Sequence, residues 1–278
     1  RDLHYPLRRQ RQMCIRDRLI PQVVYYVVSY LELVTTDKIK LGDKVNFVVP
    51  TGNFGNILAG YYAEQIGLPV NKLICASNNN NVLYDFLQTG VYDKNRDFLK
   101  TVSPSMDILI SSNLERLLYY VSGCDNAYVA SLMKDLKETG RFEVTKEILN
   151  RIQEKFQTGF ANDLDTKETI KKIYEKDSYL LDTHTAVAYK VLLDNLDKEH
   201  VNVVLSTASP YKFTESVYTS LNEATNEDEF TLMNKLHEQT KVAIPENLKD
   251  LDKKEIRHKD VINKNEMKKY ILEKLGDL

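Results

Sequence analysis

The stretch "VVPTGNFGNILAGYYAEQIGLP", Val48 to Pro69, narrows the possible folds more than any other part of the chain. A β-branched run (Val45 to Val49) gives way to helix-spaced apolar positions (Ile57, Leu58, Tyr61, Tyr62, Ile66), with Gly52 and Gly55 in between. The chain has only 10 glycines in 278 residues, so two of them flanking Asn53 and Phe54 call for a reason. Glycine at a strand-to-helix turn lets the backbone approach a neighbour closely, and a helix N-terminus carries unpaired N–H groups. Together they make an anion site, most often for phosphate. The loop is not a Walker A loop, because no Gly-Lys-Ser/Thr follows, and it lacks the G-x-G-x-x-G spacing of dinucleotide folds. A tight turn without a ligand is the competing reading.

The surrounding pattern predicts an α/β chain with a parallel sheet. After Gly67 and Pro69 stop the helix, "KLICAS" (Lys72 to Ser77) reads as a second strand, completing a βαβ unit. Helices are expected over Val82–Thr89, from about Asn113, over the "HTAVAYKVLLDNL" stretch and from about Lys212, with a further buried strand at Val201–Thr207. Residues 125–181 read as a polar helical insertion, with Thr145 and Thr166 as N-caps. In the tail, Asn263 and Glu266 are spaced as a capping box. Ligand loops belong at the carboxyl ends of the strands, where open sheets bind their ligands.

Composition removes several function classes. A net charge of −2 gives no electrostatic reason to expect a nucleic acid or an anionic membrane as partner. The apolar run Leu19–Val34 contains Gln22, Ser29 and Glu32 and falls short of the roughly 20 residues a membrane span needs, so it reads as a buried helix. Cys14, Cys75 and Cys124, odd in number and without CxxC spacing, suggest neither a disulfide framework nor a zinc site. A reducing, cytoplasmic setting is expected. Residues 1–18 stand apart: they hold six of the 11 arginines and none of the 27 lysines, and they have no initiating Met. They resemble translated adapter sequence, and the expectation is a non-native segment; a basic targeting or nucleic-acid-binding arm is the alternative. Without them the net charge is −6.

Three further segments are candidate site elements. "LSTASPYKF" (Leu205 to Phe213) places Ser206 and Thr207 at the end of a buried strand, as helix caps or as hydroxyls reaching a ligand. His184 opens a helix, where a structural role competes with an active-site one. "SSNLER" (Ser111 to Arg116) offers Ser112, Asn113 and Arg116 to an anion, or is a capped helix with an exposed arginine.

Taken in order, "VNFVVPTGNFGNILAGYYAEQIGLPV", "SPSMDILISSNLERLL", "LDTHTAVA" and "LSTASPYKF" resemble the C-terminal portion of threonine synthases, nearly continuously over residues 19–278. That family is pyridoxal-phosphate-dependent, has the tryptophan-synthase β-like fold (fold type II), and converts O-phospho-L-homoserine and water into L-threonine and phosphate, the last step of threonine biosynthesis. The resemblance implies that Gly52, Asn53, Phe54, Gly55 and Asn56 hold the cofactor phosphate. It implies that Thr207 meets the pyridine nitrogen, as a neutral hydroxyl that tunes the electron sink. His184 would lie near the site, and Ser112, Asn113 and Arg116 are candidates for the substrate phosphate. Many relatives carry His where this chain has Ser209. The family's Schiff-base lysine lies N-terminal of the glycine loop, and Lys44, Lys72 and Lys212 are not in its motif. The chain is therefore expected to be a fragment incomplete at its N-terminus and inactive alone. A non-catalytic phosphate-binding remnant, or a related pyridoxal-phosphate lyase, are the other readings.

Overall fold

In the computed structural model residues 19–257 and 259–276 are described. The expected non-native segment 1–18 lies outside the described residues. Backbone contacts separate a main unit ending at Val242 from a smaller one beginning at Ala243.

The main unit is organised by four parallel strands, β1 (Val45–Pro50), β2 (Val70–Ser77), β5 (Phe156–Phe160) and β6 (Val201–Val204), in the order β5-β2-β1-β6. β1 pairs with β2 through Val48 and Ile74, and with β6 through Val48 and Val204. Because side chains alternate across a strand, the two central strands feed two cores. Phe47, Val49, Leu73 and Cys75 point into one, while Val48, Ile74 and Ala76 point into the other.

The first core is closed by α1 (Ile20–Thr35), α2 (Gly55–Gln65), α3 (Val82–Thr89) and α4 (Leu114–Val121). The β-branched residues of α1 are weak helix formers, so its stability comes from the burial of Val23, Tyr26 and Tyr30 along one face. No helix among the described residues is long and apolar enough to cross a membrane. α1 lies so close to α2 that a Cβ on Gly60 would stand 2.6 Å from Cε1 of Tyr26. The Tyr26 hydroxyl also donates to the backbone carbonyl of Asn56 at 2.8 Å, pinning the start of α2. The second core is covered by α8 (Thr183–Asp194), through Val187, Ala188, Val191 and Leu192.

The structure corrects the expectation for residues 125–181. They form α5 (Asn126–Glu138), α6 (Lys146–Lys155) and α7 (Asp163–Asp177), but also β4 (Arg141–Glu143), which pairs with β3 (Val91–Asp93), and β5, a member of the main sheet. The stretch is thus built into the sheet rather than inserted beside it. Thr145 caps α6 as expected, accepting from the Ile148 N–H. Thr166 caps nothing: it lies inside α7 and donates to the Asn162 carbonyl at 2.7 Å, while Asn162 and Asp165 form the capping box. The strand expected to reach Thr207 ends at Val204, and the helix expected from Lys212 is a 3-10 turn (Pro210–Phe213) leading into α9 (Thr214–Leu221). α10 (Glu229–Thr240) follows. The smaller unit contains α11 (Met267–Gly276), preceded by a short turn in which the Glu266 carboxylate accepts from the Asn263 N–H at 3.3 Å.

Candidate active site

The glycine loop leaves β1 at its carboxyl end. Thr51 still belongs to the sheet, its N–H donating to the Ala76 carbonyl at 2.8 Å. The chain then turns through Gly52, Asn53 and Phe54 into α2, whose first residue is Gly55. The left-handed turn residue is Phe54, with φ of 61°, and not one of the glycines. Left-handed backbone costs a non-glycine residue about 1–2 kcal/mol. Complete burial of the Phe54 ring, 5.7 Å from the ring of Phe156, is worth about 1.5–3 kcal/mol and holds the conformation.

Gly52 has a different purpose. A Cβ there would stand 2.8 Å from the Ser105 carbonyl oxygen and 3.2 Å from the Met106 Cα. The close approach its smallness permits is to the Pro104–Met106 turn of the protein itself. At Gly55 the added atom would meet only side chains, Leu19 at 3.3 Å and Asn113 at 3.4 Å.

The segment Ser111–Arg116 clasps this loop from outside. Ser111 Oγ donates to the Gly52 carbonyl at 3.0 Å, and Asn113 donates to the Asn53 carbonyl from both its side-chain amide (2.7 Å) and its backbone N–H (3.2 Å). Arg116 in turn donates to Asn113 Oδ1 at 2.9 Å and to the Ser112 carbonyl at 3.3 Å. The Gly52 and Asn53 carbonyls are thereby occupied, and the Phe54 carbonyl accepts from the Leu58 N–H. Gly55, Asn56 and Ile57, in the first turn of α2, have no carbonyl four residues back within the helix to receive their N–H groups.

Loop and clasp border a cavity of about 510 Å³. Gly52, Asn53, Phe54, Gly55, Asn56, Ser112, Asn113, Arg116, His184 and Thr207, widely separated in the sequence, all line it. So do Ser105, Met106, Gln22 and Lys212, which sequence reasoning did not place at the site; the "SPSM" run was the visible signal for the first two. Among the described residues the lining carries two cations, Arg116 and Lys212, and no carboxylate. Ser209 does not line it; its hydroxyl caps the Pro210–Phe213 turn, accepting from the Tyr211 N–H. Behind the loop, burial pushes the Cys75 thiol up to about 12, so the sheet beneath the site presents a neutral sulfur.

His184 is buried and fully engaged. Asp182, the cap of α8, accepts from the backbone N–H of His184 (2.9 Å) and of Thr185 (3.3 Å), from the Thr185 hydroxyl, and from His184 Nδ1 (3.2 Å). On the far side of the ring, Nε2 accepts the Ser105 N–H at 3.1 Å.

A parallel α/β sheet with a glycine loop at the carboxyl end of a central strand is matched by solved threonine synthases of fold type II, one of them PLP-bound. Comparison identifies the family. The family model "Threonine synthase, C-terminal" matches residues 185–271. A PLP-bound threonine synthase from Brucella melitensis superposes with a TM-score of 0.70 at 41% identity, covering 78% of this chain and 46% of that one. Threonine synthase from yeast superposes with a TM-score of 0.78 at 36% identity, covering 94% of this chain and 53% of that one. Threonine synthase-like 1 of Homo sapiens is 41% identical over 206 residues, 73% of this chain and 28% of its own length. These likenesses place the chain with the C-terminal portion of threonine synthases. It spans about half or less of the length of these relatives.

Proposed function

We propose that this chain supplies the phosphate-holding and ring-facing part of a pyridoxal-phosphate-dependent lyase that converts O-phospho-L-homoserine and water into L-threonine and phosphate. The observation that carries the reading is the glycine loop, whose carbonyls are tied back by Ser111 and Asn113 while the first-turn N–H groups of α2 are left to an anion. A donor set of backbone N–H groups beside two cations, with no carboxylate among the described lining residues, suits a phosphate ester. When bound, the cofactor would supply a conjugated ring that accepts electron density from the carbon losing its proton.

The residues have separate tasks in this reading. Gly52 to Asn56 hold the cofactor phosphate through backbone N–H groups, so the loop's geometry matters more than its side chains. Thr207 meets the ring nitrogen with a hydroxyl, which places no fixed charge against it. Arg116, Asn113 and Ser112 lie on the same wall and would hold the substrate phosphate, the leaving group of the reaction. Apolar Leu19, Ile57 and Met106 line the cavity too and help keep water from the reacting carbons. The lysine that binds the cofactor covalently is assigned to none of the residues here.

The experiment is direct. Added to this chain, pyridoxal phosphate should be retained through its phosphate and displaced by inorganic phosphate. Borohydride treatment should leave no reduced adduct on Lys212, the lysine in the cavity wall, and O-phospho-L-homoserine should release no phosphate. Joining residues 19–278 to the N-terminal portion of the yeast relative should bring phosphate release. A Lys212 adduct with turnover by the chain alone would overturn the assignment.

A further inference from the structure

Two walls of the cavity come from chain segments about 150 residues apart, the glycine loop after β1 and the segment around Thr207 after β6. One side chain touches a neighbour of each, Ser105 beside Gly52 and Phe213 beyond Thr207. The Nε2 of His184 accepts the Ser105 N–H, and the Ser105 carbonyl is the atom packed against Gly52. The same imidazole lies 4.5 Å, centroid to centroid, from the ring of Phe213, tilted 46° to it, in the turn that follows Thr207. Its third side is held by Asp182, which is 1% exposed and also caps α8.

An N–H donor facing Nε2 requires a lone pair there, so the neutral ring carries its proton on Nδ1, between the Asp182 carboxylate at 3.2 Å and the Thr183 hydroxyl at 3.3 Å. A ring committed in this way has no free nitrogen for a substrate proton. The Pro104–Met106 turn is secured from its other end as well. The Asp107 carboxylate accepts from Asn78 (2.8 Å), Asn80 (3.0 Å) and the Thr101 hydroxyl (2.7 Å). Of the two anchors of this turn, only the His184 side also reaches the Thr207 wall.

We propose that His184 is a positioning residue rather than a proton carrier: it fixes the turn that shapes Gly52 and seats Phe213, and so sets the span between the glycine loop and Thr207. The consequence for ligand binding rests on the reading that pyridoxal phosphate bridges that span.

Two measurements on the chain test this. Long-range ¹⁵N–¹H spectra at about pH 8, above the ordinary imidazole range, report the tautomer, with His184→Gln assigning the signal by its loss. The Nδ1-protonated form is expected, and an Nε2-protonated ring would overturn the proposal. The second measurement is pyridoxal phosphate affinity. Glutamine offers an acceptor near the position of Nε2, so His184→Gln should bind within about threefold of the parent, whereas His184→Ala should bind about tenfold more weakly, the effect of one lost hydrogen bond. A folded Gln variant as weak as the Ala variant would also overturn it. If the parent chain fails to bind the cofactor, the functional reading falls, and the tautomer still decides the role of His184.

Discussion

The glycine loop and the segment at Thr207 face the same cavity from the ends of neighbouring parallel strands, yet they are built differently. β1 is buried along its whole length between two partners, and its loop is held by Ser111, Asn113 and the Ser105 turn. Among the described residues β6 pairs only with β1; it is half-buried throughout, and pairing ends where the Leu205 N–H reaches the Val48 carbonyl. Ser206 and Thr207 are exposed, and the Thr207 hydroxyl has no hydrogen bond to a described residue. Rigidity is thus concentrated where a fixed multiple charge would be bound. Preorganised donors stabilise an anion without reorganising, and a loop that had to order itself would lose that advantage. A single neutral hydroxyl contact has less to gain from such bracing.

The largest effect is expected where the bracing is tightest. Gly52→Val places carbon atoms against the Ser105 backbone, which cannot rotate away as a side chain could. Overpacking of this kind costs about 1–3 kcal/mol, and binding of inorganic phosphate and of pyridoxal phosphate should be lost together. Urea unfolding and ligand titration measure the two effects. Gly55→Ala, which meets only side chains, should lose much less of both. If Gly52→Val bound phosphate normally, the loop would be no more braced than the Thr207 end, and the contrast would be gone.

Acid should separate the two regions in the opposite sense. The Asp197 carboxylate is held down at about 2 by a hydrogen bond from Asn46, by the Glu199 N–H and by His200, just ahead of the edge strand. Its folded value lies below the ordinary carboxylate value of about 3.9, so the unfolded chain takes up this proton first as pH falls. The stability it contributes is therefore complete above about pH 4 and is lost as pH drops toward 2. Hydrogen exchange should show the amides of Val203 to Leu205 opening before those of Val48 and Val49 across that window. Asp197→Asn should weaken this dependence, and equal opening of both strands would contradict an edge-specific anchor.

The more strongly built region was also the more legible in the sequence. Strand, glycine turn and helix are local patterns, and the β-branched run Val45–Val49 together with Gly52 and Gly55 announced them. What the sequence hid was the identity of each neighbour. Gly52 read as room for a ligand, but the atom it makes room for is Ser105, more than 50 positions away. Phe54 takes the left-handed conformation that a local reading assigns to glycine, because burial against Phe156 outweighs local preference. Thr166 looked like a cap because Glu168 follows it, yet Asn162, four residues earlier, was the stronger competitor. β5, "FQTGF", is short, with Gly159 inside it, and only its pairing with Leu73–Ser77 makes it a strand. His184 was legible as a site-lining residue, but its partners Asp182 and Ser105 settle what its nitrogens do.

The smallest expected effect belongs to Thr207→Val, and it tests the division of labour most finely. The hydroxyl is exposed and the substitution keeps the β-branched shape, so stability should stay within about 0.5 kcal/mol, as for most surface changes. Inorganic phosphate, which would be held by the glycine loop and the Ser112–Arg116 wall and not by Thr207, should bind as before. Pyridoxal phosphate should bind about 2- to 12-fold more weakly, the range that one hydrogen bond worth about 0.5–1.5 kcal/mol covers. Affinities of the two ligands, measured on the same variant by calorimetry or fluorescence, give the comparison. Loss of both would mean that Thr207 supports the loop and that the two walls act as one element. Loss of neither would remove Thr207 from the ring contact. Loss of pyridoxal phosphate alone would divide the cavity into a braced anion end and a lightly held ring end, with His184 fixing the distance between them.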